Sequence, residues 1–396
     1  MSRFNAILLA VLALLAVPAF SADPPKGTTT APQTSPVDVA DIDPATGLAR
    51  TTVVKPLVEV APLNAPAPRA PLAARAHIAL ILPTSSQLLG RLADAVRQGF
   101  SAAAEVAGRD GPPVNVTAID NETTGLPDAC RAAQAAGAVL IVGGITRDGA
   151  TALAKGDCTR QPVLALNEPQ ATPAELPPNL YMASLSLENE ARQVALMAVA
   201  DGLHSAVIIT SASPLARRVQ EAFEREWTRD AGQTVGRITF TGGADDAPLI
   251  REKLAGVNAD MVFMALDPPE ARVVRPYVSA VLPLYATSMS VNPRAEAIVN
   301  LDLQGMRYME MPWFVQPDHP AVMVYPVPKG MPIEEERLYA FGIDAYRIAV
   351  QLLRGDKAAT IDGVTGKLTL EGPSQFNRTL TPAEFDGGRA IPLRTP

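Results

Sequence analysis

The chain has 396 residues, 47% hydrophobic, 19% charged and 5% aromatic, with a formal net charge of −7. That is apolar material for two or three domains, and the acidic balance argues against nucleic-acid binding, which needs Lys and Arg to displace counterions from phosphates. Three His and two Cys exclude a cysteine scaffold, an iron–sulfur protein and a Cys-ligated zinc site.

Arg3 and the apolar run Ala6–Ala19, followed by Ala19-Phe20-Ser21, have the form of an export signal, with cleavage expected after Ser21. The run is shorter than the ~20 residues a membrane span needs. The mature protein is therefore expected to be a soluble periplasmic protein. No cysteine precedes Cys130, so by sequence it is not a lipoprotein. Residues 22–76 hold ten prolines and no aromatic residue. Such a segment buries too little apolar surface to offset chain entropy and reads as a disordered Pro/Ala/Thr-rich linker. It is either a spacer or a Pro-rich ligand. Leu57–Val60 is its one strand-like stretch, limited by Pro56 and Pro62.

From His77 onward, apolar β-branched runs alternate with helical periodicity. The runs are Ile78–Leu82, Val114–Ile119, Val139–Val142, Val163–Leu166, Ala206–Ile209, Arg237–Phe240, Met261–Ala265 and Leu284–Ala286, with Leu180–Leu185 in the longest interval. Leu89, Leu92, Val96, Phe100, Ala103 and Ala107 form one helical stripe. Further helices are predicted at Asp128–Ala136, Asp148–Lys155, Leu187–Asp201, Leu215–Ala231, Ala247–Ala255, Pro269–Val278 and Glu334–Leu353. Strands that are apolar throughout suit a sheet covered on both faces, and the alternation means parallel βαβ units. Eight such strands exceed one comfortable sheet. The expected fold is α/β with two Rossmann-like lobes and parallel sheets. After Met306 the alternation gives way to a strand-like run (Met306–Met311), a Pro-rich loop, the long helix and a β-type tail from Ile361. Lobe 1 is assigned residues 77–184 plus 288–355, and lobe 2 residues 185–287 plus 356–396.

No phosphate-loop, dinucleotide, H-E-x-x-H, G-x-S-x-G or Ser-x-x-Lys motif occurs. His77, His204 and His319 are far apart and read as ordinary strand-start or loop residues. Glu224 and Glu226 read as solvated helix acids. The expectation is a protein that is not an enzyme, without metal or cofactor. What remains is a cleft at the carboxyl ends of the strands, with Ser85, Ser86, Thr146, Asn167, Ser184, Thr210, Asp267 and Ser288 as ligand candidates. Hydroxyls and free N–H groups at helix starts suit a carboxylate, and Asp267 suits an ammonium. The same residue types at the same positions also serve as N-caps. Cys130 and Cys158 would close a loop of about 29 residues, worth about 3.6 kcal/mol in the chain-entropy model. Their helices leave the pairing open, because opposite ends of parallel neighbours lie far apart.

Nine stretches carry a family resemblance. They are HIALILP (77–83), RQGFSAA (97–103), GAVLIVGGITRDG (137–149), PVLALN (162–167), PPEARVVRP (268–276), LPLYATS (282–288), MEMPWF (309–314), FGIDAYRIA (341–349) and VTGKLTL (364–370). In this order, residues 77 to about 388 resemble the C-terminal domain of the penicillin-binding protein activator family (LpoA/LppC type), with type I periplasmic binding protein architecture. The resemblance implies a non-catalytic, outer-membrane-associated protein that stimulates a bifunctional peptidoglycan synthase, a penicillin-binding protein. The family's N-terminal helical-repeat domain and lipid-bearing cysteine are not matched; the Pro-rich segment stands ahead of residue 77. The alternative is a solute-binding protein that delivers or senses a small ligand such as an amino acid. Pro312 and Trp313 read as packing residues.

Overall fold

The computed structural model describes residues 40–42, 49–51, 76–243, 245–356 and 360–393. The expected signal (1–21) and Leu57–Val60 lie outside these, as does most of the expected linker. Within the linker, β1 (Ala40–Ile42) pairs antiparallel with β2 (Ala49–Thr51), a short ladder where the composition predicts none. It belongs to a separate unit, residues 1–69.

The unit from residue 70 onward opens with β3 (His77–Leu82), α1 (Gly90–Ala107), β4 (Val114–Ala118) and α2 (Glu122–Ala135). There follow β5 (Ala138–Gly143), α3 (Arg147–Lys155), β6 (Val163–Ala165) and β7 (Leu180–Ala183). A second series runs α4 (Leu187–Ala200), β8 (Ser205–Ser211), α5 (Pro214–Arg229), β9 (Gln233–Phe240), α6 (Asp246–Ala255), β10 (Met261–Ala265), α7 (Pro268–Val274), β11 (Leu284–Ala286) and β12 (Met306–Glu310). After the short turns α8 (Pro312–Val315) and α9 (Pro320–Met323) come α10 (Ile333–Arg354), β13 (Ile361–Asp362), β14 (Lys367–Glu371), β15 (Gln375–Thr379), β16 (Thr381–Asp386) and β17 (Arg389–Pro392).

Two sheets result, ordered β13-β14-β15-β7-β6-β5-β3-β4 and β17-β16-β12-β11-β10-β8-β9. β3 to β7 are mutually parallel, as are β8 to β12, while antiparallel ribbons extend one edge of each sheet. Two C-terminal stretches fall in the sheet opposite to the one expected, while residues 381–392 join the second sheet as expected. Residues 306–310 extend the second sheet, and residues 361–379 extend the first. The cause is that β12 follows β11 by one more parallel step, whereas α10 carries the chain back to α1 before the tail begins. α2 also starts six residues earlier than predicted: Asn121 caps it, its Oδ1 accepting from Thr124 N at 3.1 Å, and Pro127 sits inside the helix. A proline that ends a pattern in sequence is tolerated here in the second turn.

Alternate residues of the first sheet feed two cores. Ile78, Leu80, Leu82, Leu140 and Val142 join a cluster continuous with the second sheet. Ala79, Ile81, Ile141, Val163 and Ala165 face α2 and α3. In that second core Cys130 and Cys158 are bonded, with Cα atoms 5.3 Å apart. The 3-10 turn Asp157–Arg160 carries Cys158 back toward α2 after α3 ends, which meets the distance a disulfide requires.

On the other face α1 crosses α10 at two glycines. A Cβ on Gly99 would stand 1.8 Å from Tyr339 O, and one on Gly342 would stand 2.2 Å from Val96 O. Backbone meets backbone at this crossing, so no side chain can yield. Gly342→Val is expected to lose about 3 kcal/mol or more by overpacking, read as a lower urea midpoint with unchanged slope. Cys130→Ala/Cys158→Ala is expected to lose about 2–4 kcal/mol, and reduction of the parent chain should reproduce that shift.

Candidate functional site

The loops after β5, β6 and β7 face the first turns of α4 and α5 across a cleft of about 200 Å³. Asn167, Glu168, Ser184, Ser186 and Glu188 supply its polar lining, with Leu166, Leu215, Leu338 and Phe341 as apolar surface. Asn167 donates from Nδ2 to Ile145 O at 2.9 Å, and its Oδ1 accepts from Glu168 N at 2.8 Å. Ser184 Oγ donates to Glu168 Oε1 at 2.9 Å. An ion-pair bridge spans the cleft. Glu188 Oε1, at the start of α4, meets Arg147 Nη2 of α3 at 3.2 Å and Arg218 Nε of α5 at 2.9 Å. Burial alone would push the Glu188 carboxyl up, but its own backbone N–H, Arg218 and Arg147 outweigh that and hold it below the ordinary range.

Of the eight predicted residues, only Asn167 and Ser184 line this cleft. Ser86 Oγ accepts from Leu89 N at 3.3 Å ahead of α1, and Ser85, exposed, donates its backbone N–H to Ile119 O. Thr146 caps α3 through Gly149 N at 2.9 Å. Asp267 is exposed and forms a capping box with Glu270 at α7. Thr210 is buried in β8 and donates to Ser211 O at 3.3 Å. Ser288 is buried and donates to Glu190 Oε2 at 2.6 Å. Capping and core satisfaction therefore account for the contacts of these five residues other than Ser85. Among the described residues no three His, Cys, Asp or Glu side chains converge as a metal site needs.

The sequence reading missed the acids beneath the cleft. Glu122, 4% exposed, accepts from Ile145 N, Thr146 N and Thr146 Oγ1, joining the start of α2 to that of α3. Glu190, 2% exposed, accepts from Ser288 N and Oγ and from Arg378 Nη2 at 3.4 Å. Burial raises its pKa despite Arg378 and Arg337. Arg378 also donates from Nε to Ser184 O and from Nη1 to Thr365 O. Arg337 forks onto Glu310 at 2.6 and 2.9 Å. Trp313 Nε1 donates to Glu336 Oε1 at 2.8 Å, and Arg294 forks onto the same carboxylate. Asp344 accepts from Val364 N, Thr365 N and Thr365 Oγ1. Glu226 is buried and paired with Arg229, not solvated. Only spatial neighbours reveal such pairs; Glu190 and Arg378 are 188 residues apart.

A family model described as "LppC putative lipoprotein" matches residues 72–249 and 249–388. This chain belongs to the LppC family. LppC-type relatives include the penicillin-binding protein activator LpoA of Edwardsiella ictaluri, 25% identical over 325 residues, covering 71% of this chain and 47% of that protein. The same-named protein of Escherichia coli K12 is 24% identical, covering 71% and 48%. The chain thus spans about half the length of these curated relatives. Among solved structures, a "putative branched-chain amino acid ABC transporter" of Chromobacterium violaceum has a TM-score of 0.67 at 34% identity, covering 78% of this chain and all of that one. The C-domain of Haemophilus influenzae LpoA, titled "a regulator of PBP1A", has a TM-score of 0.66 at 23% identity, covering 81% and 100%. This LppC chain therefore has the two-sheet fold of LpoA and of solute-binding proteins, and none of its described helices is long and apolar enough to cross a membrane.

Glu188→Gln should remove the cleft bridge. Its arginines are about half exposed, so the expected loss at pH 7 is about 1 kcal/mol or less. Because the folded carboxyl is depressed, the contribution is present above its unfolded value of 4.5 and fades as pH falls through the folded value. Urea unfolding of parent and variant should therefore differ at pH 7, and the difference should shrink as pH is lowered below 4.5.

Proposed function

We propose that this protein is a periplasmic, non-catalytic regulator that activates a bifunctional penicillin-binding protein. One observation carries the reading: the family match runs through nearly the whole unit from residue 70 onward, and the curated relatives over that span are named penicillin-binding protein activators. The geometry supports it. Charged groups that could do acid–base work are committed to buried partners: Glu190 to Ser288 and Arg378, Glu310 to Arg337, and Asp344 to Thr365. The cleft, at about 200 Å³, is below the ~300 Å³ usual for small-molecule pockets. The Cys130–Cys158 bond supports an oxidising compartment.

The second reading, a solute-binding protein, is favoured by the Asn167–Glu168–Ser184 lining and by the 34% identity to the Chromobacterium violaceum protein.

Two measurements separate them. In a reconstituted assay with bifunctional synthases, the purified chain is expected to raise the rate of glycan polymerisation or crosslinking; no binding and no rate change across the panel would refute the regulator reading. In a melting screen, an amino acid or wall fragment held at 100 times its Kd stabilises by about 2.7 kcal/mol. The regulator reading expects no such shift, and a large one would favour solute binding.

A further inference from the structure

The second sheet carries a pocket at its other end, away from the cleft. It lies between the last turn of α6 and the loop that enters β11, at the amino ends of β10 and β11, and measures about 540 Å³. Leu254, Leu282 and Tyr277 give it an apolar wall, and Arg251 and Arg275 are its charged residues. Neither an aspartate nor a glutamate lines it.

Among the described residues neither guanidinium forms an ion pair. Arg251 donates to Pro276 O at 3.2 Å and lies over the Tyr277 ring, 5.5 Å from its centroid. Arg275 donates to Val278 O at 3.0 Å and Gln304 O at 3.1 Å, and its buried Nε has no partner. Carbonyls satisfy donors but carry no net charge of their own. Asp302 attracts Arg275 from nearby without forming an ion pair. A half-buried cation held this way is disfavoured by desolvation. Arg275 is the cation held this way, whereas Arg251 is exposed beside it; in a chain of net charge −7 the two together are a local reversal of sign at one apolar pocket. The volume is also far more than a bare inorganic anion fills, and it sits within the ~300–1,000 Å³ range of ligand pockets.

We propose that this pocket binds an anionic group carried on an apolar body, with Arg251 and Arg275 as its counter-charges and the Leu254–Tyr277–Leu282 wall taking the apolar part. The same chemistry is presented by a free fatty-acid-like carboxylate and by the headgroup region of an anionic phospholipid. Val281 stands 91% exposed at the tip of the adjoining loop, so a lipid source is sterically open.

The test uses the full chain and decanoate below its micellar concentration, followed by calorimetric titration. Saturable binding is expected. Arg251→Gln should weaken it about tenfold or more, as loss of a charge partner does. Ala280→Trp, at an exposed position on the pocket wall, should block it. Both variants should melt like the parent. Decyltrimethylammonium, with the same tail and opposite charge, should not bind, and inorganic phosphate should bind about tenfold more weakly or less. A parallel arm floats the chain with phosphatidylglycerol or phosphatidylcholine vesicles. Binding to phosphatidylglycerol alone, lost in Arg251→Gln, assigns the source to a lipid headgroup. The proposal fails if neither decanoate nor phosphatidylglycerol binds, if binding survives both substitutions, or if phosphate or the cationic amphiphile binds as tightly as decanoate.

Discussion

The arrangement of the two sheets rests on a buried cation. Arg378, 4% exposed, leaves β15 of the first sheet and reaches Ser184 O at the end of β7, Thr365 O before β14, and Glu190 in α4. Glu190 in turn holds Ser288, at the end of β11 in the second sheet. One guanidinium thus touches the exit of one sheet and, through one carboxylate, the strand ends of the other. Isolated, either charge would be ruinous in that interior. Together, with hydroxyl and backbone donors completing the set, they fix where the chain passes from sheet to sheet. Glu310 with Arg337, and Glu336 with Arg294 and Trp313, repeat the device beneath α10.

Above that buried layer the cleft is narrow and bridged. Glu188 answers Arg147 from one side and Arg218 from the other, so its polar groups are largely engaged with each other. Internal pairing of this kind leaves the cleft little unspent charge. It also explains why the serines and threonines at the strand ends are spent internally: Thr146 and Ser86 satisfy helix starts, and Ser288 satisfies Glu190.

How much of this was legible in the sequence follows from the range of each interaction. The parallel strands were readable because Ile78–Leu82 or Met261–Ala265 must be apolar on both faces to be covered twice. Helix α1 was readable from its stripe, and the LYATS, MPW and GIDAYR segments carried the family. The allotment of the tail was not readable, because nothing local distinguishes Lys367–Glu371 from Thr381–Asp386 as partners for one sheet or the other. The start of α2 was not readable either, because the Asn121 cap begins the helix ahead of Pro127 and carries it through that residue. In the site, residue type alone could not separate a cap from a ligand. Asp267 looked like a binding carboxylate and is tied to Glu270. Gly99 and Gly342 were silent in sequence, although their missing side chains set the closest approach of α1 and α10.

The interleaving of the tail has a temporal consequence. Among the described residues the chain passes between the sheets after β7, after β12 by way of α10, and again between β15 and β16. The first sheet borrows its outer three strands from residues 361–379, and the second takes its last two from residues 381–392. Neither sheet is therefore complete before residues 361–392 have joined it. A nascent chain stopped at residue 355 would own both hydrophobic centres yet leave Glu190 facing no arginine from β15 and β12 with one open edge. The outer strands of both halves are drawn from one stretch, residues 361–392, so neither half has its full set of strands without that shared segment.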